Sequence, residues 1–171
     1  MKKIYHLVVR YTTDMYGMED VIAPHNHVAL HHEAVWVGKP FHKMGRVPMD
    51  KINEQIREGF TPRMYFIDTQ RKRPIAHFGN LLEITMNAPG DRELIPPFYK
   101  QKRILSRMKV WMKVDFLQGF YLNDLPELER MNELYDDAER HVDGSSGYFV
   151  MYEDREAEIA MLPTNDGSPG L

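Results

Sequence analysis

The 171-residue chain contains no cysteine, which excludes a disulfide framework and thiol nucleophiles and removes the softest ligands for zinc. It has no apolar run approaching the roughly 18 residues that mark a membrane-spanning helix, and its first residues lack the apolar core of a signal peptide. A cytoplasmic protein without membrane contact is the expectation. Also missing are a glycine-rich phosphate-binding motif, a nucleophile-elbow serine and the helical zinc-protease signature. Motifs therefore give no reason to expect a cofactor or a metal, and no catalytic residue is assigned.

What is present fits a soluble globular protein: 43% apolar and 27% charged residues, enough to bury a core. One domain is expected over residues 1–162, followed by a mobile tail at 163–171 rich in Gly, Ser, Pro and Asp. The net charge of −3 conceals a separation along the chain. Residues 39–113 hold 16 Lys+Arg against 7 Asp+Glu, whereas residues 114–171 hold 3 against 14. Such an asymmetry points to a nucleic-acid face or to two halves that neutralise one another.

Period-two alternation and β-branched content place strands at 4–11, near the centre of a sheet, at 34–37, in a hairpin over 64–86, at 109–116 and at 147–152. Met49, Ile52 and Ile56 define one face of a helix that begins near Pro48 and stops at Gly59. A second helix is expected after Pro126, burying Leu128, Met131, Leu134, Tyr135 and Ala138, with Glu129 on its exposed face. Between the strands, residues 87–108 read as an irregular connection in which Pro96 and Pro97 hold Phe98 and Tyr99 extended. Of four histidines at 25, 27, 31 and 32, His27 and His31 share a face if their segment is helical. That spacing can bind zinc, but no third ligand is specified, and surface or cap histidines are the simpler reading.

Two places combine aromatic and cationic side chains in a way that can stack a base and neutralise phosphate. The first is the run Trp36, Val37, Gly38, Lys39 and Phe41, continued by His42, Lys43 and Arg46. The second is Trp111, which alternation puts on the charged face of its strand between Lys109 and Lys113, unless another element covers that face. Asp68, His77 and Tyr99 are expected at the edge of this site. Arg71, Lys72 and Arg73 at the hairpin tip, with Lys102, Arg103 and Arg107, are the candidate phosphate contacts.

Trp36-Val37-Gly38-Lys39, Tyr65-Phe66-Ile67-Asp68 and the alternating strand from Ile75 to Ile84, in this element order, resemble the PUA-like superfamily and its EVE/YTH-like branch. The resemblance spans roughly residues 4–152. It implies an α+β fold built on a small mixed or antiparallel β-barrel with two to three flanking helices. It also implies recognition of a modified base or RNA in an aromatic pocket, with Trp36 and Trp111 as cage candidates and Gly38 and Lys39 at its edge. The leading expectation is a non-catalytic module that binds DNA, RNA or a small nucleotide, as a monomer or weak homodimer. Two alternatives stay open: an enzyme using His42 or His77 with Asp68 or Glu83 in acid–base chemistry, and a protein-interaction module pairing basic and acidic halves.

Overall fold

Leu7, Val8 and Val9 are almost completely buried, which requires that their strand be flanked and covered on both faces. That strand, β1 (Lys3–Tyr11), pairs in parallel with β3 (Arg63–Asp68) and antiparallel with β8 (Tyr148–Asp154). The computed structural model describes residues 3–40, 46–68, 75–121, 129–130 and 148–154. The remaining strands are β2 (Val35–Lys39), β4 (Ile75–Thr85), β5 (Val110–Val114), β6 (Gln118–Tyr121) and the two-residue β7 (Glu129–Arg130). They form a mixed sheet in the order β2-β5-β4-β3-β1-β8-β7, with β6 beside β4. The architecture is α+β, with β1 and β3 the parallel pair.

The hairpin expected over 64–86 is present: Arg63 to Phe66 pair with Asn80 to His77. Strand β4 then changes partner, pairing with β5 from Leu81↔Val114 to Thr85↔Trp111 through a register shift between Leu81 and Glu83. Such a bulge bends and twists a strand. The bend lets the sheet curl until Lys39 of β2 donates from its Nζ to the Arg10 carbonyl of β1, 2.9 Å away, although β5, β4 and β3 separate these strands along the sheet. Among the described residues the pairing nevertheless ends at β2 and β7, so the sheet is open where a barrel would close.

The concave face carries Leu7, Val9, Val35, Val37, Met64, Phe66, Leu81, Val110, Met112 and Val114 in one buried cluster, each such side chain stabilising the fold by roughly 1–3 kcal/mol. Helix α2 (Arg46–Arg57) adds the fully buried Ile52. It is held to β1 by Gln55, which accepts from the Tyr5 N–H at 2.7 Å and donates to its carbonyl at 2.9 Å. Gly59, at φ +91°, ends it, with the Phe60 N–H returning to the Gln55 carbonyl at 2.9 Å, the left-handed stop that glycine permits.

Helix α1 (Ile22–His32) starts where Asp20 Oδ1 accepts from the N–H groups of Ile22 and Ala23 at 3.1 and 3.0 Å, a carboxylate cap that also suits the helix dipole. Residues 87–108 are an irregular connection carrying three short helical turns, and Phe98 and Tyr99, expected to be extended, lie in one of them. Pro97, at φ −57°, opens α3 (Phe98–Gln101), a proline role at a first helical turn that the expectation of extended backbone overlooked. The helix expected after Pro126 falls mostly outside the described residues, but Glu129 and Arg130 are extended and pair with Tyr152 and Met151. The tail at 163–171 lies outside the described residues.

Candidate functional site

Trp36 and Trp111 lie on one face of the β2–β5 pair, since Trp36 opposes Lys113 and Gly38 opposes Trp111. The expectation that they present ring faces to solvent is not met: each is 2% exposed. The turns of residues 87–108 cover this face. The Tyr99 ring sits 5.2 Å from Trp111, and Trp36 Nε1 donates to Asp91 Oδ1 at 2.7 Å. Lys113, expected beside an open indole, instead donates to Asp91 Oδ2 at 3.1 Å and lies 5.5 Å over the Trp36 ring. Burial alone pushes the Asp91 carboxyl up, but the bonds from Trp36 and Lys113 carry it below the usual carboxylate range.

Gly38 is where this layer closes. A Cβ at Gly38 would stand 2.9 Å from both Met108 Cγ and Trp111 Cζ3, so only glycine lets the indole settle there. Its backbone groups go to tyrosines: the Gly38 N–H donates to Tyr99 Oη at 2.8 Å, and Tyr16 Oη donates to the Gly38 carbonyl at 2.8 Å. Tyr99 in turn donates to His25 Nε2 at 2.7 Å, while His25 Nδ1 donates to the Val21 carbonyl at 2.7 Å. The Val21 carbonyl only accepts, so Nδ1 carries a proton, and burial favours the neutral ring whose Nε2 accepts from Tyr99. Burial pushes its pKa down to about 4, against a smaller upward pull from the Val21 bond. Expected as a surface or cap residue, His25 is fully buried, in edge contact with Tyr16, Phe98 and Tyr99. Burial likewise pushes the Tyr16 and Tyr99 hydroxyls well above their ordinary range. These groups are structural donors and acceptors.

A second group of polar side chains gathers at the end of the concave face where β1 and β3 finish. Tyr11 and Asp68 are register partners, and Tyr11 stacks on Phe66 at 3.9 Å. His77 opposes Phe66 from β4. Lys39 follows Val35 and Val37 in the alternation of β2 and is fully buried. Burial and the neighbouring Arg10 cation push its amine down to about 7. Burial also pushes Tyr11 up, reinforced by the charges of Asp68 and Asp20. It lowers His77, which Asp20 partly restores. Lys39 and the group formed by Tyr11, Asp20, Asp68 and His77 thus both border the end of β1.

The residues assigned from sequence therefore divide in two. Lys39, Asp68 and His77 border one end of the sheet, whereas Trp36, Gly38, Tyr99 and Trp111 form a sealed layer. Lys102, Arg103 and Arg107 are exposed; a Cβ on Gly17 would lie 3.5 Å from Lys102 Cδ. Phe41, His42, Lys43, Arg71, Lys72 and Arg73 lie outside the described residues. Sequence reasoning missed Tyr11 and Asp20. The parity that puts Tyr11 beside Leu7 and Val9 was a usable signal for the first, and the capping position before α1 for the second. Among the described residues no three His, Asp or Glu side chains gather as a metal site, and no helix is long and apolar enough to cross a membrane. Comparisons with family models, curated proteins and solved structures found no match for this chain.

Proposed function

We propose that this protein is a non-catalytic module binding a nucleotide or a nucleic-acid base, and that the ligand engages the half-buried Asp68 and His77 at the end of the concave sheet that Lys39 and Tyr11 border, rather than the tryptophan layer. We further propose that its curled, bulged sheet is an open relative of the PUA-like barrels of the EVE/YTH-like branch. The observation that carries the reading is Lys39. Its amine donates to the Arg10 carbonyl at 2.9 Å and stands with Tyr11, Asp68 and His77 at one end of the sheet, a cationic donor of the kind that phosphate accepts from. Asp68 supplies an acceptor for base N–H groups, and His77 can donate or accept.

Isothermal titration with nucleoside monophosphates and short oligonucleotides tests this. Binding is expected to weaken steeply between 50 and 200 mM salt, with a logarithmic slope of about −0.7 per phosphate neutralised on a single strand. Lys39→Met and Asp68→Asn should abolish it, while Trp36→Phe should leave it intact. Undetectable binding of all these ligands, or binding indifferent to Lys39→Met, sinks the proposal.

The position of Lys39 also favours a second reading, an acid–base enzyme acting on the same ligands, because an amine at about 7 is divided between its two forms near neutral pH. Chromatographic search for ligand turnover separates the readings: a binding module returns every ligand unchanged.

A further inference from the structure

Helix α1 presents two opposed chemistries. His25 is inside, neutral and fully bonded. His27 and His31 are exposed on another face of the same helix, one turn apart, with ring centroids 4.6 Å from one another and planes inclined at 51°. Residues four apart on a helix are neighbours, so the pairing follows from the run His27-Val28-Ala29-Leu30-His31 once the helix forms. The two rings are not equivalent. His31 Nδ1 lies 2.8 Å from the His27 carbonyl, and since a carbonyl only accepts, that nitrogen carries the proton. The neutral His31 ring therefore holds its lone pair on Nε2, in the tautomer that an outer hydrogen bond fixes in metal-binding imidazoles.

We infer that His27 and His31 form a bidentate site for a divalent transition metal such as zinc or nickel. Two adjacent imidazoles can both reach a single ion at the usual metal–nitrogen distance of about 2.0–2.1 Å. Imidazole nitrogen selects zinc, nickel or copper and leaves magnesium and calcium to oxygen sites. No third His, Asp or Glu completes the set among the described residues, so water fills the remaining positions. The site is open. Once one imidazole is bound, the second binds at the high effective concentration that the helix imposes, and this is what makes the pair more than two surface histidines. It is independent of the nucleotide reading and faces away from the His25 network.

The test is a calorimetric titration of the untagged chain with Ni²⁺ and with Zn²⁺ in a weakly coordinating buffer, with Mg²⁺ for comparison. One ion per chain is expected for nickel and zinc, and none for magnesium. His27→Ala and His31→Ala should each weaken binding about tenfold or more through loss of the chelate. His32→Asn should leave it unchanged, and circular dichroism should show that the variants at these exposed positions fold as the parent does. Absence of a one-to-one isotherm, or one that survives both His27→Ala and His31→Ala, overturns the inference.

Discussion

His25 accepts from Tyr99 through Nε2, so a second proton on its ring removes that acceptor and places a charge in a fully buried site. The folded pKa of about 4 lies below the ordinary value near 6.5. The unfolded chain consequently binds more protons between these values, and stability falls as pH drops from roughly 6.5 to 4, by about 3 kcal/mol in all. Thermal melts across this range should show the fall, and His25→Leu should flatten it while lowering the neutral-pH midpoint by loss of the Tyr99 partner. Lys39 has the same sign of linkage in a higher window. Its folded value of about 7 against an ordinary value near 10.4 means that its burial costs most below pH 7, a cost that fades as pH rises toward 10. Lys39→Met should raise the melting temperature by several degrees at pH 6 and by much less at pH 9.5. A variant that melts lower at pH 6 would show the amine to be a net stabiliser. Of these two residues, only Lys39 was singled out from the sequence as a site candidate. The pattern Val35, Val37, Lys39 shows its burial to anyone who extends the alternation one step, whereas the side-chain partner of His25 lies 74 positions away at Tyr99, where no local pattern reaches.

At the scale of elements, alternation identified the faces of β5 but not what covers them. Val110, Met112 and Val114 face the core as their parity requires, and the opposite face, with Trp111 and two lysines, reads as solvent-facing because charge is the only local cue. Trp111 is buried by a proline-bounded segment whose helical turns no period announces. Asn80, a polar residue on the parity of the apolar Ala76, Phe78, Leu82 and Ile84, is fixed by a similar long-range contact: its N–H and Nδ2 donate to the two oxygens of Asp115, both at 2.9 Å, tying β4 to the end of β5. Gly38 makes the dependence of one element on another measurable. Gly38→Ala places a methyl against Trp111 and Met108, and overpacking of this kind costs about 1–3 kcal/mol. Chemical denaturation should show a lower midpoint with an unchanged slope. An equal midpoint would mean that the layer yields freely, contrary to its burial.

For the whole molecule, the sequence disclosed the α+β class, the central strand, the hairpin and the α2 helix, because each rests on a short period. It did not disclose the parallel pairing of β1 with β3, which depends on the long connection through α1, β2 and α2, nor the curl that brings Lys39 to Arg10. Both come from bulge and register, properties of pairs of strands rather than of any one. Among the described residues β2 is an outer strand of the sheet, and this carries a last consequence. An outer strand with free N–H and C=O groups is a template on which another chain can add. At Gly38 both groups are taken by Tyr99 and Tyr16, side chains from distant parts of the same chain. Two phenols thereby guard the molecule against strand addition and the aggregation that follows from it, at a position where an open sheet is most vulnerable.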